Sequence, residues 1–185
     1  MLQKETIIDA AAVLFYKEGF GYVSLKDISE EIQAPEEEVT KVFPNEALVC
    51  TAWLENVDTK SDQHHQSVLL KDAPAKQKVN DYFADLAEFM KNNLYRGCPF
   101  SNVASTLSRT QRDNELQQVI VAHKRNLKKF LTTLATEISP SHASTLGDSL
   151  FLLYSGATTE SRNLQSLDPI ISAQKSAAAL CEAFS

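Results

Sequence analysis

The chain has 185 residues, of which 43% are hydrophobic, so it can bury one substantial core with a smaller unit beside it and is neither a linker nor a disordered tail. Its 5 glycines and 6 prolines leave long stretches without a strong breaker, which favours an all-α fold over a many-turned β-sandwich. The formal charge of −6 does not suit a protein that binds nucleic acid through its overall charge.

Two short helices are predicted near the N-terminus. The first ends near Gly19, and apolar residues at helical spacing form one of its faces. Ser24 can cap the second helix through the backbone amide of Lys26 or Asp27, and the carboxylate of Asp27 suits the positive end of that helix. The apolar face of the first helix consists of Ile7, Ile8, Ala11, Leu14 and Phe15.

The rest of the chain also has helical spacing. Pro35 suits the first position of a third helix over Glu36–Val42, which Pro44 ends. A fourth helix runs from Asn45 to a loop near 71–75. Further helices are predicted over 79–94, 100–108, a segment that opens at Asp113-Asn114 and ends at Ser139-Pro140, 141–165 and 169–184. The prediction is an all-α protein of about nine helices.

Cysteine and histidine positions give no sign of a metal or cofactor. Cys50, Cys98 and Cys181 are odd in number and far apart, which suits reduced thiols. His64 and His65 are adjacent, so they point about 100° apart on a helix and cannot bind one metal as residues four apart would. Because no apolar run of about 18 residues occurs, we expect a cytoplasmic protein without a membrane span.

Four segments are more specific than helical spacing alone. They are Ile7-Ile8-Asp9-Ala10-Ala11 with Leu14-Phe15, Gly19-Phe20 and Ser24-Leu25-Lys26-Asp27-Ile28; Phe43-Pro44-Asn45-Glu46-Ala47-Leu48; Arg96-Gly97-Cys98-Pro99-Phe100-Ser101-Asn102; and Asp113-Asn114-Glu115-Leu116. Through these segments the chain resembles the tetracycline-repressor (TetR) family over nearly its whole length.

The resemblance implies a helix-turn-helix head, residues 1–46, and a helical effector-binding and dimerisation body, residues 47–185. It implies a homodimer formed by the last two helices, with heads that enter double-stranded DNA at half-sites about 34–36 Å apart. It also implies a body pocket for a small apolar or aromatic effector that controls the heads. The DNA-facing residues would be Ser24, Lys26, Pro35, Glu36, Glu37, Glu38, Thr40 and Lys41; the pocket residues Phe83, Phe89, Cys98, Phe100, Asn102, His123, Phe130 and Tyr154; and the interface residues Leu146, Leu150, Leu153, Ala157, Ala177 and Cys181.

The head departs from the family in its charge. Residues 1–50 hold four lysines and no arginine against ten acidic residues, a net charge of −6, whereas residues 51–185 hold 14 basic and 14 acidic residues. Carboxylates occupy the third helix where the family has small, basic or hydroxyl groups, and the lysine that follows Phe-Pro-Asn in the family is missing, because Asn45 runs straight into Glu46. A dimer that neutralises about 6–10 phosphates needs cations, so the acidic head disfavours DNA.

Two functions therefore remain open. One is a ligand-responsive, DNA-binding repressor. The other is a dimer of the same fold that has lost direct DNA binding and acts by contact with a basic protein or by binding a small molecule. An enzyme is not expected, since no nucleophile elbow, phosphate loop or metal motif is present; catalysis would need a buried carboxylate such as Asp85, Glu88 or Asp148.

Overall fold

A computed structural model of the chain describes residues 2–107 and 115–185. In these ranges every regular element is a helix, which confirms the predicted all-α fold. The α-helices are α1 (Lys4–Lys17), α2 (Leu25–Glu31), α3 (Glu36–Val42), α4 (Glu46–Leu69), α5 (Ala75–Asn92), α6 (Pro99–Thr106), α7 (Glu115–Ile138), α8 (Ala143–Leu164) and α9 (Asp168–Ala183), with single 3₁₀ turns at Phe20–Tyr22 and Pro140–His142.

Most helix ends follow the predicted signals, but α5 spans Ala75–Asn92 where 79–94 was predicted, and α3 and α6 also differ. Ser24 caps α2 as predicted, because its Oγ accepts from the backbone N–H of Asp27 at 3.2 Å. Pro35 is not the first residue of α3 but lies just before it, since its ψ of 135° is extended. α6 ends at Thr106, and the predicted opening at Asp113-Asn114 lies outside the described residues.

The chain forms two compact units. The first unit consists of Met1–Lys60 and Pro99–His123, and the second of Ser61–Cys98 and Lys124–Ser185. α4 and α7 thus contribute residues to both units. The division into residues 1–46 and 47–185 stays a prediction, since compactness alone does not define a functional domain.

The core of the first unit joins the head to the start of α4. Trp53 of α4 packs on the rings of Phe15 and Tyr16 of α1, with ring centroids 5.4 Å away in each case. Leu54 is fully buried, as is Val39 of α3. The first turns of α4 are therefore part of the hydrophobic core of the head.

The core of the second unit is built from α5, α7, α8 and α9. Phe83, Leu131, Leu146 and Ile170 are fully buried in it. Gly147 allows α8 to approach α7, because a Cβ there would lie 2.5 Å from Thr132 Oγ1 and 2.9 Å from Thr132 Cα. No helix in the described ranges has the length and apolar character needed to cross a bilayer.

Candidate functional site

The residues predicted to face DNA lie on the outside of the head. The buried Val39 anchors one face of α3 in the core of the head. The opposite face of this short helix is exposed to solvent. Lys26 is exposed on α2, and Ser24 is half-buried because it caps that helix. The exposed residues of α3 and its preceding position are Pro35, Glu36, Glu37, Glu38, Thr40 and Lys41.

The four lysines of the head lie beside acidic or aromatic groups of the head itself. Lys41 Nζ is 2.9 Å from Glu37 Oε1, and Lys26 Nζ is 3.7 Å from Glu30 Oε1. Lys17 is paired with the adjacent Glu18 at 3.5 Å, and Lys4 lies 5.5 Å from the centre of the Phe43 ring. Such exposed pairs add little stability, but they place a carboxylate beside three of the four cations that phosphates would need.

Two carboxylates occupy the N-terminus of α2. Glu46 Oε1 accepts from the backbone N–H of Leu25 at 3.2 Å, and Asp27 Oδ2 accepts from the backbone N–H and the hydroxyl of Ser24 at 2.8 and 2.6 Å. These hydrogen bonds from Ser24 lower the pKa of Asp27. Helix N-termini are natural phosphate sites, and this one is already filled by the chain's own anions.

The sequence did not reveal the role of Glu46. It showed only that the expected lysine is missing, because the contact between Glu46 and Leu25 spans 21 residues. The Glu46 carboxylate therefore does more than replace a cation, since it already accepts from a backbone N–H of the kind that binds phosphate at helix N-termini.

The predicted effector residues fall into two sets. Phe83, Phe89, Cys98, Phe130 and Tyr154 belong to the second unit, whereas Phe100, Asn102 and His123 belong to the first. The structure therefore does not gather all eight within one compact unit.

Two residues of the second-unit set, Phe130 and Tyr154, belong to an aromatic stack with Tyr82 and His65. The ring of Tyr82 lies 4.9 Å from Phe130 and 6.0 Å from Tyr154, and His65 stacks on Phe130 at 4.2 Å. His65 Nε2 and the Tyr82 hydroxyl are 3.3 Å apart. Burial raises the pKa of Tyr82, so the phenol stays protonated. Tyr82 is among the aromatic residues of the body helices that the resemblance places around the pocket, whereas His65 was not predicted as a pocket residue.

Two other predicted pocket residues of the second unit, Cys98 and Phe89, have different environments. Cys98 is buried, and Lys124 Nζ donates to its Sγ at 3.5 Å. Phe89 is 40% exposed and so lies at the surface of the unit, not within its core.

The second unit also carries an open cavity of about 400 Å³. It lies where the turn after α5 meets the end of α8, and Leu94 and Gln165 at its edge both have left-handed backbone conformations. None of the predicted effector residues lines it. The lining residues are Leu94, Arg96, Arg162, Asn163 and Gln165.

The residues predicted for the dimer interface are mostly internal to the second unit. Leu146, Leu150, Ala157, Ala177 and Cys181 are buried in its core, and burial raises the pKa of the Cys181 thiol. Leu153 is half-buried. These side chains stabilise α8 and α9 from inside. The large apolar residues that these helices expose are Leu152, Leu164 and Ile171.

The carboxylates that an enzyme would need are not buried. Asp85 lies 3.5 Å from His64 Nε2 with 41% of its side chain exposed. Asp148 pairs with Lys128 at 2.7 Å and is 46% exposed, and Glu88 is exposed. All three side chains are thus at least partly exposed.

Comparison with known sequences finds no matching family model but several related regulators. The HTH-type transcriptional repressor ComR of Escherichia coli (strain K12) is 26% identical over 135 residues, which cover 71% of this chain and 64% of ComR. An HTH-type transcriptional regulator in the lacX 3′ region of Lactococcus lactis subsp. lactis is 27% identical over 139 residues, which cover 71% of this chain and 69% of that protein. The match thus spans less than two thirds of ComR.

Solved structures share the fold across nearly the whole chain. SCO4454, a TetR-family transcriptional regulator from Streptomyces coelicolor, superposes with a TM-score of 0.82 over 97% of this chain and 86% of its own, at 18% identity. A TetR transcriptional regulator from Legionella pneumophila gives a TM-score of 0.82 over 100% and 98% of the two chains, at 16% identity. The chain therefore has the fold of the TetR-family regulators, as predicted, and its sequence is related to those of helix-turn-helix transcriptional regulators.

Proposed function

We propose that the chain is a TetR-type transcriptional regulator: a homodimer whose body binds a small effector and whose heads act on transcription. The observation that carries the proposal is the α2–α3 pair, in which α2 is capped by Ser24 and α3 is anchored by the buried Val39. This arrangement presents the remaining residues of α3 to a partner, within a fold that related regulators share.

The exposed apolar residues of α8 and α9 support the dimer. Leu152 and Leu164 are 66% and 64% exposed, and Ile171 is 40% exposed. Large apolar side chains exposed on a surface are of the kind that a second chain buries. In the proposed homodimer these three residues contact the second copy, while the internal leucines hold the two helices in place.

The aromatic stack of the second unit supports an apolar or aromatic effector. Phe130, Tyr82 and Tyr154 supply ring faces, and His65 with the Tyr82 hydroxyl supplies a polar pair 3.3 Å apart. Ligand sites are commonly apolar with a few polar groups that fix orientation. An effector that inserts among these rings would shift the population of body conformations and thereby control the heads.

A second candidate is favoured by the charge of the head. Glu46 occupies the N-terminus of α2, and Lys26 and Lys41 are paired with carboxylates. A surface of this kind attracts a basic protein more readily than a phosphate backbone. In this alternative the dimer has lost direct DNA binding and regulates by contact with a basic protein surface.

Binding of the purified full chain to its own upstream DNA fragment separates the two candidates. Fluorescence anisotropy is measured at about 50 and 200 mM salt, with a shuffled fragment of the same composition as reference. A direct operator contact predicts preference for the upstream fragment and an affinity that falls by about 10³-fold or more between the two salt concentrations. Contact through protein predicts weak binding without preference.

Matched variants show whether α3 makes the contact. In the DNA-binding case Thr40→Ala combined with Lys41→Ala weakens binding, and Lys91→Ala, which removes an exposed lysine from α5, leaves it unchanged. Transcript levels in cells with and without the gene test the regulator function itself. If deletion of the gene changes the level of no transcript, both candidates are contradicted.

A further inference from the structure

A partly buried hydrogen bond joins α4 to α7 within the first unit. His123 Nδ1 lies 2.6 Å from Asp58 Oδ1. Because a carboxylate only accepts, the proton of this bond is on Nδ1 and His123 donates. The His123 side chain is 5% exposed and that of Asp58 is 21% exposed, so the imidazole is buried while the carboxylate is partly open to water.

A third residue fixes the imidazole ring. Phe100 of α6 stacks on His123 with centroids 3.6 Å apart and planes inclined by 3°, and Phe100 itself is 1% exposed. The ring of His123 therefore has one preferred orientation, with Nδ1 aimed at Asp58. One histidine thus joins three helices of the first unit.

Asp58 lies on α4 next to residues that pack in the core of the head. It is one turn beyond Leu54, which is fully buried, and Trp53 packs on Phe15 and Tyr16 of α1. A displacement of Asp58 relative to His123 would therefore move the start of α4 and the head helices packed on it.

The head also contacts α6 directly, through the 3₁₀ turn at Phe20–Tyr22. A Cβ on Gly21, in the 3₁₀ turn before α2, would lie 3.8 Å from Thr106 Cβ. A contact at this distance is ordinary van der Waals contact, which limits how closely the two elements approach but has no directional preference. The bond between Asp58 and His123, in contrast, is a directional restraint.

We propose that Asp58 and His123, oriented by Phe100, are the positioning residues that hold the head in one orientation on α6 and the start of α7. The consequence for partner binding rests on the proposed function, since the bond would set the position from which α3 meets its partner. The orientation of the head itself is a property of the first unit and can be measured without any partner.

Backbone amide hydrogen exchange of the full chain, followed by mass spectrometry, tests the proposal. His123→Phe keeps a ring that can stack on Phe100 but removes the donor, and Asp58→Ala removes the acceptor. Each should speed exchange in α1–α3 by about tenfold and leave α8 and α9 unchanged, since local opening governs exchange. Trp53, the single tryptophan of the chain, should become more accessible to a fluorescence quencher in the same variants.

The double variant and a conservative variant separate positioning from general loss of packing. Asp58→Ala with His123→Phe should speed exchange no more than either single change, because both break one bond. His123→Asn places an amide N–H where Nδ1 stood and should restore part of the protection. Effects that multiply in the double variant would overturn the proposal, as would head exchange that stays at the wild-type rate in both single variants.

A second histidine–aspartate pair serves as the matched control. His64 of α4 and Asp85 of α5 are 3.5 Å apart but both are 41% exposed, so His64→Phe and Asp85→Ala should leave exchange in the head unchanged. If His123→Phe does not fold, Asp58→Asn, which keeps an acceptor but loses the charge, should speed head exchange by about threefold. No change there would also contradict the proposal.

Binding to the upstream DNA fragment provides the functional comparison. If wild type binds the fragment, His123→Phe should weaken that binding while Asp85→Ala does not. If wild type does not bind DNA, the DNA-binding function fails while the exchange result still decides whether this bond holds the head.

Discussion

The head and the α8–α9 pair expose opposite kinds of surface. The head presents carboxylates, with Glu36, Glu37 and Glu38 all exposed, and its lysines lie beside acidic or aromatic neighbours. The α8–α9 pair instead exposes Leu152 and Leu164. For the proposed function the difference predicts two kinds of contact: a charged one, sensitive to salt, at the head, and an apolar one, insensitive to salt, at α8 and α9.

The largest expected effect concerns the apolar surface. Leu152→Glu places a charge in the proposed dimer interface, where burial of an unpaired carboxylate is costly. We expect the dissociation constant of the dimer to rise by about 30-fold or more, the change typical of a central interface residue. Sedimentation equilibrium measures it.

Leu70→Glu is the control for this substitution. Leu70 is 83% exposed just after α4, so the same chemical change there should leave the association state as in wild type. A wild-type chain that sediments as a monomer would contradict the dimer itself.

The next prediction compares two glycines of α8, one closely packed against α7 and one with no neighbouring atoms. Gly147→Ala brings a Cβ to 2.9 Å from the Thr132 backbone and should lower the free energy of unfolding by about 1–3 kcal/mol, the usual cost of overpacking. Gly156→Ala in the same helix meets nothing within 4 Å and should leave stability unchanged or raise it by about 0.5–1 kcal/mol. Urea unfolding at equal protein concentration compares them, and equal stabilities would refute the close approach of α7 and α8.

A smaller effect is expected in the head. Ser24→Ala removes the cap of α2 and should destabilise the chain by about 1 kcal/mol, whereas Ser67→Ala on α4, whose hydroxyl donates to its own helix, should be near neutral. Urea unfolding measures both, and a Ser24→Ala chain as stable as wild type would show that the cap contributes nothing.

The same variant changes the titration of Asp27. Ser24 lowers the pKa of Asp27 in the folded chain. The ionised carboxylate therefore stabilises the folded chain at pH values above its unfolded pKa, and this stabilisation is lost as the pH falls through the folded pKa. In Ser24→Ala the pKa of Asp27, followed by NMR, should return toward its ordinary value. An unshifted titration curve would contradict the role of Ser24.

The sequence predicted those features of the fold that depend on neighbouring residues. The cap at Ser24, the end of α3 before Pro44 and the end of α7 before Pro140 follow from local hydrogen bonds and backbone limits, which a sequence states directly. The negative charge on the surface of α3 could also be predicted, since its three glutamates need no tertiary contact to remain exposed.

Features that depend on distant residues were not readable. The bonds of Glu46 to Leu25 and of Asp58 to His123 span 21 and 65 residues. The apolar stripe of α8 is ambiguous for a related reason, because Leu150 packs inside its own unit and Leu152 faces outward, and helical spacing alone does not say which side a second chain would cover.

The central claim is that the head has the shape of a DNA-binding unit but a surface that opposes phosphate. It is tested most directly by the affinity for the upstream DNA fragment of a variant with Glu36→Gln, Glu37→Gln and Glu38→Gln, compared with wild type at about 50 mM salt. The control removes three exposed carboxylates elsewhere, by Asp72→Asn, Glu88→Gln and Glu160→Gln. We predict that the α3 variant binds about tenfold more tightly than wild type, or about 1.4 kcal/mol, while the control, whose carboxylates do not belong to the helix-turn-helix head, stays within about twofold. A wild-type chain that binds this fragment tightly and loses affinity in the α3 variant would contradict the claim, because its carboxylates would then read bases instead of repelling phosphates.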